Sequence, residues 1–194
     1  MLNILTCQIQ ATQGYAKLGP FIIKDDFTLD IEYVKRLVGI CSQFDYLWDE
    51  LSVYENLYYY SRLRGIKCSN IDQYILTKLK EVNLEDKIHS KAGKLSGGMR
   101  RRLSICISSL GDPYIIFMDE PTTGLDPNNR RNIWKLINQL KVGRVIILTT
   151  HMMDEAEYLS DRIAIIASGK LRFIGNCTEL RNTYFNGFIL TLSK

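Results

Sequence analysis

The sequence has no G-x-x-x-x-G-K-[ST] stretch, the glycine-rich loop that most often cradles nucleotide phosphates. Its Gly-Lys pairs do not rescue the pattern. Gly93-Lys94 is followed by Leu95, with Ile88 where the first glycine belongs; Gly169-Lys170 is followed by Leu171, with Ala164 there. No apolar stretch reaches the roughly 18–20 residues that a membrane-spanning helix needs. The opening MLNILTCQIQ lacks the basic n-region and small-residue cleavage site of a signal peptide. The five cysteines (Cys7, Cys41, Cys68, Cys106, Cys177) are odd in number and never form C-x-x-C. They read as reduced packing residues of a cytosolic protein, where the Asn176-Cys177-Thr178 sequon has no use. Repeats and low-complexity tracts are also missing. A net charge of +4 permits an anionic ligand or membrane surface, but does not argue for nucleic acid. The aromatic-basic stripes of single-strand binders are absent as well. With 194 residues, 46% of them hydrophobic, the chain has the size and apolar content of one compact domain.

What is present begins with KLSGGMRRRLS, Lys94 to Ser104. It reads as a loop breaking into a helix. Leu95 docks, Ser96 caps, and Gly97 and Gly98 let backbone N–H groups approach a ligand. Such helix starts suit phosphate, because unpaired N–H groups and the helix dipole both point outward.

Around that helix the chain alternates in character. Met1 to Ile9 reads as a buried helix with no cap before it. Ala11 to Gly19 is turn-like, PFIIKDD is a short strand, Asp30 to Leu37 suggests a helix, and VGICSQ a buried strand. From Phe44 to about Ser90 apolar residues recur at helical spacing, among them Ile71, Ile75 and Leu79. This is read as a helical lobe inserted at about 44–110, running into the helix after Gly98. There Leu103, Ile107 and Leu110 form an apolar face, and Arg100 to Arg102 mostly cover another. YIIFMDE is a continuous apolar run, as expected of a parallel strand covered on both faces. Asp126 and Pro127 form a cap and first-turn pair. Ile133, Leu136, Ile137 and Leu140 give the next helix its buried stripe, and Gly143 ends it. RVIILTT reads as a second buried strand, and DRIAIIASGKLRFIG as a hairpin turning at Ser168-Gly169. The expected fold is α/β, a mostly parallel sheet with a helical insertion.

Two carboxylates, Asp119 and Glu120, end the first apolar run, at the strand edge where α/β proteins place ligands. Neighbouring strand residues point to opposite sides, so the pair can divide two tasks. Asp119 can hold Mg²⁺, and Glu120 can face an attacking water as general base. Taken alone, Asp-Glu merely ends a strand. Gln43 after VGICS and His151 just past RVIILTT are, singly, ordinary loop residues. The order decides otherwise: Ser96-Gly97-Gly98, Asp119-Glu120-Pro121, Gly124-Leu125-Asp126 and His151 follow one another at short spacings.

That order resembles the nucleotide-binding domain of ATP-binding cassette (ABC) proteins, over essentially the whole chain. Gln43 matches the Q-loop, LSGGM the signature, IIFMDE the Walker B strand, GLDP the D-loop and His151 the switch histidine. Met99, TTHMMDEAE and the tail FNGFILTL look most like the A subfamily of ABC transporters. The resemblance implies a P-loop NTPase-like core whose ligands are ATP and Mg²⁺. It implies that Asp119 and Gln43 serve the metal, and that Glu120 and His151 are catalytic. Two such domains pack head to tail in the family, so Ser96, Gly97, Gly98 and Asp126 would serve an ATP shared with a second domain, and Gln43 would contact the nucleotide as well as the metal. It further implies transmembrane domains as partners, a place at the cytoplasmic face of a membrane, and transport, of lipid in the A type. In the family the phosphate loop flows into a helix resembling MLNILTCQIQ, and an adenine-stacking aromatic lies farther upstream. This sequence matches from just past that loop, as a fragment or misjudged start would, or a short protein without autonomous ATP binding. A soluble translation-type ABC ATPase and a non-catalytic ABC-like module are the alternatives. Only about fifty residues separate Gln43 from Ser96, too few for the long coiled coil of a DNA-repair type.

Overall fold

The computed structural model describes residues 2–6, 9, 12–19, 21–23, 35–66 and 69–184. They fall into two compact units, Met1–Thr149 and Thr150–Lys194. In the first unit, α1 (Leu2–Leu5) is followed by β1 (Ala16–Leu18), β2 (Phe21–Ile23) and β3 (Val38–Cys41). Then come α2 (Val53–Leu63), α3 (Ile71–Glu81), α4 (Gly97–Ser108), β4 (Ile115–Asp119), α5 (Pro127–Leu140) and β5 (Val145–Thr149). The second unit holds α6 (Met153–Leu159), β6 (Ile163–Ala167), β7 (Lys170–Gly175) and α7 (Cys177–Tyr184).

The centre of the first unit is a parallel sheet ordered β3-β4-β5. Its register pairs Cys41 with Met118, and Asp119 with Thr149. β4 lies between its neighbours, and Ile115 to Met118 are all buried, as its unbroken apolar run requires. Val38, Ile115 and Phe117 form one core cluster, joined by Leu5, Ala16, Leu18 and Ile40. β5 departs from the sequence expectation. Val145 and Ile147 are exposed, because β5 is the outer strand of this sheet among the described residues. Ala16–Leu18, expected as turn, pairs antiparallel with Phe21–Ile23 around Gly19, whose φ of +60° glycine tolerates. The helix expected over Met1–Ile9 is a single described turn, Leu2–Leu5, and Ile9 is exposed. The Asp30–Leu37 helix and the FNGFILTL tail fall largely or wholly outside the described residues.

The lobe expected after Phe44 is helical from Val53. Ser52 caps α2 through a reciprocal box with Glu55: the Ser52 N–H donates to the Glu55 carboxylate at 2.7 Å, and the Glu55 N–H donates to Ser52 Oγ at 3.2 Å. Asn70 caps α3, and Ile75 and Leu79 are fully buried. α4 lies directly on β3. A Cβ at Gly39 would sit 2.1 Å from the Ser108 carbonyl oxygen, so only glycine lets strand and helix backbones approach this closely. Leu103 and Leu110 are buried as expected, but Ile105 replaces half-buried Ile107 in the fully buried set. In α5 the stripe Ile133, Leu136, Ile137 and Leu140 is buried.

In the second unit, β6 and β7 form the antiparallel hairpin, with Ser168 at φ +52° and Gly169 at φ +72°. Both positive angles suit a two-residue turn whose twist matches the strands. Ala156, Ile163 and Leu180 form its core. Arg181 grips Glu157 with two hydrogen bonds, at 3.2 and 2.6 Å.

Candidate functional site

β3 and β4 run parallel and end at the same edge, so their last residues deliver side chains to one place. Gln43, two residues past β3, donates from Nε2 to Glu120 Oε2 at 3.3 Å. Residues 77 apart in sequence are thus joined at the C-terminal edge of the sheet. Thr123 Oγ1 donates to the same carboxylate oxygen at 2.9 Å. Asp119 closes β4, and its Oδ1 accepts the hydroxyl of Thr149, its register partner on β5.

The two carboxylates are not set apart by strand alternation. β4 ends at Asp119, and Glu120 already has a left-handed backbone, φ +44°. That conformation is unfavourable for a residue with a side chain. It is held by the Glu120 N–H, which donates to the Thr149 carbonyl at 3.1 Å and lies 3.2 Å from its Oγ1. A turn, not the pleat, sets the direction of Glu120.

Ser96 caps α4 as expected, Oγ accepting the Met99 N–H at 3.4 Å, and Leu95 is buried beside it. The glycines differ. A Cβ at Gly97 would meet nothing within 4 Å, whereas one at Gly98 would fall 2.5 Å from Asn129 Oδ1. Asn129 belongs to the cap of α5: its Nδ2 donates to Asp126 Oδ1, and its N–H donates to Asp126 Oδ2 at 3.2 Å. These donors, the Asn129 side chain foremost, hold the Asp126 carboxyl below its ordinary pKa. So Gly98 packs against the residue that occupies Asp126, and Gly97 faces open space. His151 lies in the second unit, exposed, in the loop before α6.

Arg101 is where sequence reasoning and structure part. Expected on a polar face, it is 4% exposed and lies between the two strand ends. Nε donates to the Pro121 carbonyl at 2.6 Å, Nη1 to that of Ser42 at 2.6 Å, and Nη2 to those of Asp119 and Glu120 at 3.1 and 3.2 Å. Nη1 also lies 3.2 Å from the Gln43 carbonyl and 3.1 Å from Asp45 Oδ1. Its neighbours stay nearer the surface: Arg100 reaches Asp49 at 2.6 Å, and Arg102 the carbonyls of Val82 and Asn83. The signal was in the spacing, since Arg101 shares a helical stripe with Ile105 and Ser108, both buried.

Residues 1–123 match the family model described as ABC transporter. The chain belongs to the ABC transporter family. It is 43% identical over 192 residues to ABC transporter A family member 2 of Arabidopsis thaliana, covering 99% of this chain and 19% of that protein. ABC transporter A family member 9 of the same plant is 42% identical over 192 residues, covering 99% and 20%. ABC transporter A family member 5 of Dictyostelium discoideum is 41% identical over 194 residues, covering 100% and 11%. The chain therefore spans about a fifth of these relatives' length or less. The resemblance to the A subfamily, first carried by Met99 and the residues around His151, agrees with these relatives. The family match includes Gln43, Ser96 to Gly98, Asp119 and Glu120.

Proposed function

We propose that this chain is the ATP-binding and ATP-hydrolysing domain of an ABC transporter, acting in a head-to-tail pair with a second such domain. The observation that supports this most is the hydrogen bond from Gln43 to Glu120, one residue past Asp119. It gathers an amide and two carboxylates at the edge of a parallel sheet. Glu120 is the general base, oriented by Gln43 and Thr123. Asp119 and the amide oxygen of Gln43 hold Mg²⁺. The donor set fits that ion. Among the described residues no group of three or more His, Cys, Asp or Glu makes a closed cage. Mg²⁺ takes one or two carboxylates and completes its shell with phosphate and water oxygens. Once bound, the ion offsets the negative charge of the phosphates. His151 takes the part of the switch histidine, a role that rests on the family resemblance alone.

Ser96, Gly97 and Gly98 grip the terminal phosphate of the second domain's ATP. Open space at Gly97 and the N–H groups at the start of α4 support that role. Asp126, whose carboxylate caps α5 together with Asn129, takes part at the same junction. No G-x-x-x-x-G-K-[ST] pattern lies within the 194 residues, so no phosphate-cradling loop is assigned to them. Transmembrane domains are the second partner, at the cytoplasmic face of a membrane, and no described helix is long and apolar enough to cross one. The exposed aromatics Phe44, Tyr46 and Trp48 at the root of the lobe are where they dock. Lipid as cargo rests on the A-type resemblance alone.

The test is steady-state ATP turnover in a full-length protein carrying this chain. Glu120→Gln removes the base and keeps the amide-sized side chain. Hydrolysis falls by about 10²-fold or more, and ATP binding stays within a few-fold of wild type. Near-normal turnover in this variant overturns the role of Glu120. Absence of ATP binding in the wild-type protein points to the second reading, a non-catalytic module.

A further inference from the structure

We propose that Arg101 is a positioning residue that makes the ATP-site loops of this chain follow the movements of its own α4 helix. The proposal rests on the reading of Gln43, Asp119 and Glu120 as that site. One guanidinium contacts the backbone of Ser42 and Gln43 after β3, of Asp119 at the end of β4, and of Glu120 and Pro121 beyond it. These segments carry the side chains of Gln43, Asp119 and Glu120. Asp45 is the anionic partner, at 3.1 Å.

The geometry does more than fill space. Five N–H donors serve five carbonyls and a carboxylate, with one donor shared. A planar fork fixes the separation of the two strand ends as no single point charge can. Arg101 also stands five residues from Ser96, about 7.5 Å along a stiff helix. Any tilt or slide of α4 when Ser96 to Gly98 engage a phosphate is carried by the guanidinium to Gln43 and Glu120. Glu120 is sensitive to such a pull, because its carbonyl accepts from Arg101 while its own backbone is left-handed. The phosphate contact made by one end of α4 is thus felt at the base near its flank.

Arg101→Lys in the full-length protein tests this, because lysine keeps the charge but offers three donors from one point. Amide exchange over residues 42–45 and 119–123 rises about tenfold, with α2 unchanged as internal reference. Turnover falls about tenfold or more, while KM for ATP and nucleotide stoichiometry stay within about threefold. Arg101→Lys combined with Gln43→Ala is no slower than the slower single variant, since both act on one loop. Unchanged exchange in both segments overturns the proposal, as does a turnover loss that merely tracks the folded fraction. A wild-type protein that hydrolyses no ATP overturns the ATPase reading instead, and the exchange result alone then decides the role of Arg101.

Discussion

Gly39→Ala puts a methyl group where no side chain can yield. The added Cβ falls 2.1 Å from the Ser108 carbonyl oxygen, 3.0 Å from Pro113 Cγ and 3.2 Å from the Ser108 carbonyl carbon. Ordinary contact begins near 3.4 Å, so α4 has to withdraw from β3 by about 1.3 Å. The obstacle is backbone at the end of a helix, and rotamer changes do not relieve it. Withdrawal also disturbs Leu103 and Ile105, fully buried on α4, and strains the bonds of Arg101 to both strand ends. Overpacking of this kind costs about 1–3 kcal/mol, and a backbone obstacle belongs at the upper end. Removing glycine's freedom in the unfolded chain returns about 0.5–1 kcal/mol. A net loss of about 2 kcal/mol lowers Tm by about 4–8 °C for a domain of this length. Thermal unfolding followed by circular dichroism measures it, with Gly97→Ala as control, since its Cβ meets nothing within 4 Å. A Gly39→Ala protein melting within about 2 °C of wild type refutes the close approach of β3 and α4.

The cap at Asp126 carries a pH signature. Its folded pKa lies below the ordinary carboxyl value, because the Asn129 side chain and N–H donate to it. The stability it adds is therefore present above about pH 4 and lost as pH falls through the lower, folded value. The Tm difference between wild type and Asp126→Ala is largest near neutrality and shrinks as the pH falls through the lower, folded value; a gap constant with pH would mean that the ionised cap is unimportant. Ser96→Arg tests action in trans. Pairing it with a Glu120→Gln copy puts both lesions in one shared site and leaves the other intact, so verified heterodimers hydrolyse ATP where neither homodimer does. Heterodimers as inactive as the homodimers would refute independent sites completed in trans.

The elements legible in the sequence were those with one physical cause. IIFM reads as a covered strand because no polar residue interrupts it, and Ile115 to Met118 are buried. Ser96, and Asp126 with Pro127, read as caps because few residue types satisfy helix-start N–H groups, and both cap. Ser168-Gly169 reads as a hairpin because its turn needs two positive φ angles. What escaped depended on neighbours distant in sequence. Val145 and Ile147 are as apolar as β4, but burial depends on where a strand lies in the sheet. The alternation argument for Asp119 and Glu120 failed because the strand ends between them. Gly39 carried a signal, a glycine inside an apolar run, whose cause lies in Ser108, 69 residues away. Three consecutive arginines read as covering a second face of the helix, opposite no particular partner. Only the carbonyls gathered at two strand ends make the middle one an interior residue.

The stretch Ser96-Gly97-Gly98-Met99-Arg100-Arg101 combines exposed and buried residues. Ser96 and Gly97 are exposed, and their substitution alters what the start of α4 presents to a ligand. Gly98 is pressed against Asn129, so a side chain there displaces the partner of Asp126 before any ligand arrives. Arg101 is held by both strand ends, and its loss disturbs Gln43 and Glu120 from within the same chain. A fall in turnover is therefore ambiguous along this stretch, although the sequence reads as one phosphate motif. On the proposed reading, substitutions at Ser96 and Gly97 isolate a contact made in trans; those at Gly98 and Arg101 mix it with damage in cis. The heterodimer experiment for that reason has to use Ser96, because an Arg101 lesion would weaken both composite sites and imitate obligate coupling between them.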